Sequence, residues 1–252
     1  MNRILIFILA AILLSGCSAT LPPQADEIPA QRPIEKYVDS DRQYPIDVYD
    51  PWEGFNRLVY YFNAKFDRYV FLPVVAGYEY ITPDFLEQGV SNFFLNLEEV
   101  RNFSNSVLQL KPKSSLKVLG RFVLNSTLGI GGLFDWATPM GIPRQREDFG
   151  QTLGHYGVGN GPFLVLPIFG PSNLRDTTGL VIDTVARQAL YNHIDPFDDH
   201  PDEEAFEAGI SLLQAVDTRH RLDFRYYETG SPFEYELVRM IYNKVRLLEI
   251  QK

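Results

Sequence analysis

Apolar side chains recur every three or four residues over most of the chain beyond residue 50, a spacing that predicts a mainly α-helical protein. The clearest case is the segment 84–110, which has one apolar face and one polar face. The apolar stripe comprises Leu86, Val90, Phe93, Phe94, Leu97, Val100, Val107 and Leu108, and the polar face comprises Glu87, Gln88, Ser91, Glu98, Glu99, Asn102, Asn105, Ser106 and Gln109. That polar face is either solvated or, in a membrane-embedded protein, the lining of a wet passage.

Further helices are predicted on both sides of this segment. Asp50 at the N-cap and Pro51 at the first helical position fit the start of a helix that continues to about Tyr69. Segments 139–148 and 150–171 are rich in proline, charge or glycine, and we expect a loop or a short hairpin in the first of them. The other predicted helices cover approximately residues 114–128, 173–191, 201–227 and 231–252, and no strand ladder of any length is predicted.

The N-terminus has the pattern of a lipoprotein signal. Arg3 precedes the unbroken apolar run from Ile4 to Leu14, which is shorter than the roughly 20 residues that span a bilayer. The sequence Leu14-Ser15-Gly16-Cys17 then predicts cleavage after residue 16 and lipidation of Cys17; an ordinary secretory signal is the alternative. Cys17 is the single cysteine, so no disulfide framework and no cysteine metal site are predicted.

Four regions follow from these patterns. Residues 1–16 form the predicted signal peptide, 17–49 a proline-rich lipidated tether, 50–230 a helical domain and 231–252 a C-terminal helix. Beyond Leu14 no apolar run approaches 18 residues, and the alternating strands of about ten residues that a transmembrane β-barrel requires are missing from the pattern. Membrane contact is therefore expected through amphipathic helices and the anchor.

Composition and charge narrow the possible partners. Hydrophobic residues make up 45% and aromatic residues 13% of the chain, which is enough for a sizeable core. The formal net charge of −9 argues against nucleic acid as a partner and gives no support to attachment through a polybasic patch. Ser18 follows Cys17 where an aspartate would commonly direct retention in the inner membrane, so sorting to the outer membrane is expected.

No catalytic constellation emerges from the sequence. The glycine run 157–161 lacks the lysine and the strand–helix context of a phosphate-binding loop. No Gly-x-Ser-x-Gly elbow occurs, and the four histidines have no metal-ligand spacing. We therefore predict that the protein is not an enzyme and has no catalytic residues, no cofactor and no metal site.

Several motifs occur in an order that resembles the MlaA/VacJ family of lipoproteins. The first is Asp50-Pro51-Trp52-Glu53-Gly54-Phe55-Asn56-Arg57, followed by Phe62-Asn63. The later motifs are Gly89-Val90-Ser91-Asn92-Phe93, Arg121-Phe122, Asn125-Ser126-Thr127-Leu128-Gly129-Ile130-Gly131-Gly132, Asp148-Phe149-Gly150-Gln151-Thr152-Leu153-Gly154, Gly157-Val158 and Arg175-Asp176. The resemblance covers roughly residues 50–183, and in the tail beyond it we recognise no further motif.

The resemblance implies a fold and a function. Members are ring-shaped assemblies of amphipathic helices embedded in the inner leaflet of the outer membrane, facing the periplasm. An amphipathic channel gives mislocalised phospholipids a route from the outer leaflet to a soluble periplasmic carrier, MlaC, and the lipoprotein associates with a trimeric porin. This maintains the lipid asymmetry of the membrane. Two alternatives stay open: a scaffold of the envelope that transports nothing, and a phospholipid-degrading enzyme.

The resemblance also indicates candidate site residues. A role in shaping or gating the lipid passage is expected for Asp50, Trp52, Phe55, Asn56, Arg57, Phe62 and Asn63. Alternatively, Asp50 caps a helix and Arg57 pairs with a carboxylate without touching lipid. Gly129, Gly131 and Gly132 form either a flexible hinge or a tight turn, and the residues expected to determine the fold are Gly150, Gln151, Gly154 and Gly157.

Overall fold

The computed structural model describes residues 30–32, 36–37, 48–194 and 203–252. The predicted signal peptide, Cys17 and most of the tether lie outside the described residues. The helices are α1 (Glu53–Phe66), a π-helical segment (Asp67–Phe71), α2 (Leu72–Ile81), α3 (Asp84–Leu108), α4 (Pro112–Thr127), α5 (Phe149–His155), α6 (Leu174–Ile194), α7 (Glu203–His220) and α8 (Glu234–Gln251), and the strands are β1 (Phe163–Leu166) and β2 (Gly170–Asn173). The prediction of a mainly α-helical protein is confirmed. In the described ranges, no helix combines the length and apolarity that crossing a membrane requires.

Of the two alternatives predicted for segment 139–148, a loop or a short hairpin, the structure has the loop, and the hairpin lies further along the chain. Segment 142–148 has no regular structure, whereas the glycine-rich segment holds α5 and the antiparallel pair β1–β2, in which Phe163 is opposite Asn173. The prediction that no strand ladder forms is therefore wrong, because one short pair of strands is present. Neither strand has the alternation by which strands are recognised in a sequence, because β1 is a run of four apolar residues and β2 contains glycine and proline.

The start of α1 also differs from the prediction. The N-cap residue is Trp52, and no side chain caps the helix. Asp50 precedes the cap and instead accepts hydrogen bonds from side chains of α1 and α8. The Asp50 carboxylate thus joins two helices. As an N-cap it would have accepted hydrogen bonds only from backbone amides of α1.

Helix α3 packs with its polar face inward. Glu99, Asn102 and Ser106 are fully buried, and Asn105 and Gln109 are almost so. Leu97 and Leu108 of the apolar stripe are about half exposed. Both sequence interpretations of these five polar residues, a solvated face and the lining of a wet passage, are therefore wrong. Four of the five side chains hydrogen-bond to residues of α4, α5, α6 or the loop before α5, whereas the Ser106 hydroxyl is buried without a hydrogen-bond partner.

The same inversion extends beyond α3. Buried polar and charged residues outnumber buried hydrophobic ones in the part of the chain that the structure describes. A small apolar core lies where α1, β1 and α8 meet, and it comprises Val59, Tyr60, Phe163, Val165 and Tyr235. Elsewhere ion pairs and amide networks make up most of the interior, together with single buried apolar side chains such as Phe94 and Val118. In a protein surrounded by water the opposite distribution is the rule.

Candidate functional site

The first family motif divides between the two faces of α1. Trp52, Phe55 and Phe62 are about half exposed on the outside, whereas Asn56 and Asn63 are buried. Asn56 and Asn63 lie two helical turns apart and therefore share one face. The structure brings Asp50 and Asn56 together, 2.7 Å apart, and links Arg57 to Asp50 through Tyr235. The three aromatic residues are exposed and do not join this group.

The two asparagines hold the β1–β2 hairpin against α1. The amide nitrogen of Asn56 donates to the Phe163 carbonyl at 3.0 Å, and its oxygen accepts from the Val165 amide at 2.9 Å. Asn63 likewise donates to the Leu166 carbonyl at 2.9 Å and accepts from the Ile168 amide at 2.8 Å. Each side-chain amide thus replaces a neighbouring strand along the free edge of β1, which would otherwise have buried, unpaired backbone groups.

This hairpin ends in an apolar tip that projects from the protein. Phe169 is 74% exposed and Ile168 is 50% exposed. Ile168 has a φ of 70°, a left-handed conformation that β-branched residues rarely adopt. The hydrogen bond from its amide to Asn63 fixes this conformation, so Asn63 determines how the tip is presented.

Asp50 and Arg57 belong to a charged network between α1 and α8. Asp50 accepts from Asn56 at 2.7 Å and from Arg239 at 3.0 Å, and it also accepts from the Tyr235 hydroxyl. Arg57 donates to Glu53 at 2.7 Å and to the buried Glu236, and its guanidinium lies 4.3 Å from the centre of the Tyr235 ring. The pairing of Arg57 with a carboxylate, the structural alternative for this motif, matches these contacts.

Gly129, Gly131 and Gly132 lie in a turn that follows α4. Gly131 and Gly132 have φ values of 69° and 99° and donate to the carbonyls of Ser126 and Asn125, both at 2.9 Å. A Cβ on Gly132 would lie 2.7 Å from the Asn96 side chain, and one on Gly129 would lie 2.2 Å from the Phe134 carbonyl oxygen. The three glycines thus occupy a hydrogen-bonded tight turn that packs against α3.

The four residues expected to determine the fold lie in and just after α5. A Cβ on Gly150 would lie 2.6 Å from a carboxylate oxygen of Asp176, and one on Gly154 would lie 2.5 Å from Ile250. Gln151 is buried and donates to Asp148 at 3.1 Å, whereas Gly157, with a φ of 86°, turns the chain after the helix. These close approaches let α5 pack against α6 and α8.

Asp148, Asp176 and Arg246 form the centre of that packing. Arg246 donates to both Asp148 oxygens at 2.8 Å and, through Nε, to Asp176 at 2.8 Å. Arg175 donates to the other oxygen of Asp176 at 2.9 Å, and Tyr242 donates to the same oxygen as Arg246 at 2.8 Å. Two carboxylates from different elements are therefore joined through one guanidinium of α8.

The acid dependence of stability follows from Asp148. Burial alone would raise the pKa of Asp148, but hydrogen bonds and charge from Arg246 outweigh it and lower the pKa from 3.8 to about 2. A lowered pKa stabilises the folded state above pH 3.8, and this contribution is lost as the pH falls towards 2. We therefore expect the difference in free energy of unfolding between wild type and Asp148→Asn, measured by denaturant titration, to shrink over this interval. A difference that does not change with pH would show that Arg246 does not stabilise the ionised carboxylate.

The exterior of the helices is apolar over a wide area. Exposed large hydrophobic residues occur on α1, α2, α3, α4, α6 and α7, and they include Leu58, Tyr80, Ile81, Leu86, Leu97, Leu116, Leu119, Val123, Val181, Val185 and Leu212. Where such residues form a contiguous surface, that surface marks an interaction with a membrane or a partner. Among the described residues, no group of three or more histidine and carboxylate side chains is placed to hold a metal ion.

The charged residues of α8 were not predicted from the sequence. Glu236, Arg239 and Arg246 are buried, and each forms an ion pair with a residue outside α8. Their intervals of three and seven residues place them on one helical face together with Tyr235 and Tyr242. The sequence pattern that could have identified them is a helical face of α8 that combines charged residues with two tyrosines.

Sequence and fold are similar to those of known proteins. The model of the MlaA lipoprotein family matches residues 48–249, and that of the prokaryotic membrane lipoprotein lipid attachment site matches residues 1–18. An uncharacterized protein of Rickettsia conorii is 37% identical over 245 residues, which is 95% of this chain and 94% of the relative. A protein of Escherichia coli K12 described as "Intermembrane phospholipid transport system lipoprotein MlaA" is 43% identical over 138 residues, which is 53% of this chain and 55% of that protein.

The similarity extends to three dimensions. A solved structure from work on the structural basis for maintenance of bacterial outer membrane lipid asymmetry matches with a TM-score of 0.65 at 34% identity. The match covers 81% of this chain and 100% of the solved chain.

Proposed function

Because the chain belongs to the MlaA lipoprotein family, we propose that it removes mislocalised phospholipids from the outer leaflet of the outer membrane and thereby maintains lipid asymmetry. In this proposal Cys17 carries the lipid anchor, and the helices lie as a ring in the inner leaflet, facing the periplasm. A trimeric porin is the partner within the membrane, and the periplasmic carrier MlaC accepts the lipid. The protein itself catalyses no reaction.

The observation that carries this proposal is the inverted distribution of polarity. Exposed leucine, valine and aromatic side chains on several helices offer acyl chains an apolar surface, while ion pairs and amides fill the interior. Burying apolar surface against lipid contributes about 25 cal/mol per Å², so such an exterior is stable in a bilayer and unfavourable in water. A phosphodiester that crosses the apolar layer needs polar groups nearby, since an unsolvated charge is costly.

Phospholipid exposure at the cell surface tests the proposal. A strain that lacks the protein is expected to expose more phospholipid, and the wild-type gene is expected to restore the normal level. Leu58→Asp puts a carboxylate on the exterior of α1, where Leu58 is 64% exposed, so this variant is expected to fail at equal abundance. Leu58→Met keeps the surface apolar and is expected to restore the wild-type level.

The two alternatives give different results in the same cells. A phospholipid-degrading enzyme would release fatty acid or lysophospholipid, and we expect neither when purified protein is incubated with phospholipid vesicles. An envelope scaffold would tolerate Leu58→Asp as long as the protein reached the membrane. If loss of the protein leaves surface phospholipid unchanged, the transport proposal is wrong.

A further inference from the structure

The corner that joins α3 to α4 combines exposed leucines with exposed lysines. We define the α3–α4 corner as Leu110, Lys113, Leu116 and Lys117. Leu110 is 78% exposed and Leu116 is 70% exposed, and both lysines lie on the surface. Leu110 also has a φ of 55°, so an apolar residue is held in a strained conformation that presents it outward.

Local charge at this corner is opposite to that of the whole chain. The protein has a formal net charge of −9, yet residues 100–134 contain no aspartate or glutamate and five basic residues, Arg101, Lys111, Lys113, Lys117 and Arg121. Arg121 is buried with Glu99, and Lys111 contacts Glu147 at 3.3 Å. In the part of the chain that the structure describes, no ion pair involves Lys113 or Lys117.

The arrangement of these side chains on α4 matches a membrane interface. Lys113, Leu116 and Lys117 are spaced three and four residues apart, so they share one helical face. Further along α4, Leu119 and Val123 extend the exposed apolar surface without another charge. Lysine side chains at one end of an apolar helical surface can bury their methylenes in the interface and keep their ammonium groups among the headgroups.

The position of the lysines indicates an external anion. Lys113 lies in the first turn of α4, where the helix dipole makes a cation unfavourable, and Lys117 follows one turn later. Neither is offset by a carboxylate of a described residue, so the fold itself gains nothing from them. An anionic surface supplies the missing countercharge, and the neighbouring leucines supply an affinity for acyl chains.

We propose that the α3–α4 corner is a docking surface for anionic phospholipid headgroups, with Lys113 and Lys117 contacting phosphate and Leu110 and Leu116 entering the acyl region. This inference rests on the proposed function, because it takes the protein to be embedded in a phospholipid leaflet. It adds a headgroup preference: anionic phospholipids such as phosphatidylglycerol gather at this corner in preference to zwitterionic ones.

The test compares the phospholipids that co-purify with the full lipidated protein. Wild-type protein is incorporated into vesicles of phosphatidylethanolamine and phosphatidylglycerol in a known ratio and extracted in mild detergent, and its bound lipids are quantified by mass spectrometry. We expect phosphatidylglycerol to be enriched over the bulk ratio. Lys113→Gln/Lys117→Gln is expected to reduce this enrichment about 25-fold, because each of the two lysines near an anionic surface contributes a factor of about five.

Lys244→Gln/Lys252→Gln is the matched control, since it removes the same charge from two other exposed lysines. Enrichment that survives in the control and falls in the corner variant, at unchanged thermal stability, supports the proposal. An equal fall in both pairs, or no fall in the corner variant, overturns it. If the corner variant instead keeps its phosphatidylglycerol and loses a cross-link to a protein, the occupant is a protein partner and the proposal is wrong.

Failure of the transport proposal would give a result different from failure of the docking proposal. In that case the wild-type gene would not change surface phospholipid, whereas the enrichment of phosphatidylglycerol would still depend on Lys113 and Lys117. The two results are measured independently, one in cells and one on purified protein.

Discussion

Arg121→Met is expected to lower the free energy of unfolding by about 3–5 kcal/mol, the range for breaking a buried ion pair by removing one partner. Arg121 is fully buried, and its guanidinium donates to Glu99 at 3.0 Å and to Asp135 at 3.0 Å. It also donates to the Thr138 hydroxyl at 3.0 Å and to the Ile142 carbonyl. One side chain therefore ties α4 to α3 and to the loop before α5.

The expected cost comes mainly from what the substitution leaves behind. Glu99 is fully buried and would keep only Arg144, at 3.4 Å, as a cationic partner. Burial alone would raise the pKa of Asp135, but bonds from Thr138 and Arg121 lower it to about 2. Methionine fills most of the volume of arginine but donates no hydrogen bond, so Glu99, Asp135 and the Ile142 carbonyl each lose a charged donor.

Denaturant unfolding of the protein in detergent micelles measures this effect. Arg101→Met is the matched control: Arg101 is exposed and lies 3.8 Å from Glu98, so its loss is expected to change the free energy of unfolding by less than about 1 kcal/mol. Adding Glu99→Gln to Arg121→Met removes the buried negative charge and is expected to recover part of the loss. Equal stability of the two arginine variants would contradict the buried network as a source of stability.

The period of α3 was predictable, but the direction of its polar face was not. Spacing shows that Glu99, Asn102 and Ser106 share a face with respect to the helix axis. The spacing does not indicate whether water, lipid or protein covers that face, because a helix has the same periodicity in all three cases. The partners of the buried polar groups, such as Arg121 and Glu147, come from elements distant in sequence.

The same limit explains the first family motif and the C-terminal helix. The order of the motifs was sufficient to identify the family, which is confirmed, since order requires no knowledge of contacts. The structural role of Asn56 depends on a strand more than one hundred residues away. Likewise, Glu236 and Arg239 are identifiable as charged residues but not as the partners of Arg57 and Asp50 until α1 and α8 are packed together.

Asn56→Leu is expected to release the first half of β1 from α1 and to cost about 2–4 kcal/mol, because it leaves two buried backbone groups unpaired. Those groups are the Phe163 carbonyl and the Val165 amide, and Asp50 loses the Asn56 amide as a donor. Leucine has nearly the shape of asparagine, so packing is preserved and the lost hydrogen bonds dominate. Asn92→Leu removes one exposed bond, at 3.1 Å to the Leu133 carbonyl, and is the matched control.

Amide hydrogen exchange distinguishes local release of the hairpin from a general loss of stability. In Asn56→Leu the Val165 amide is expected to lose protection first, and in Asn63→Leu the Ile168 amide is expected to do so, since each asparagine accepts from one of them. Asn92→Leu should leave both amides protected. Equal loss of protection throughout the chain would show that the asparagines act on global stability rather than on the hairpin.

The hairpin variants also connect the structure to transport. Asn63 holds Ile168 in its left-handed conformation, and Ile168 and Phe169 form the apolar tip, so Asn63→Leu changes the presentation of the tip more than it changes the core. Asn63→Leu is therefore expected to raise surface phospholipid although the protein remains abundant. Asn56→Leu is expected to lower the abundance of the protein. If Asn63→Leu restores lipid asymmetry fully while its Ile168 amide exchanges freely, the tip has no part in transport, and the outer faces of the helices remain the lipid-contacting surface.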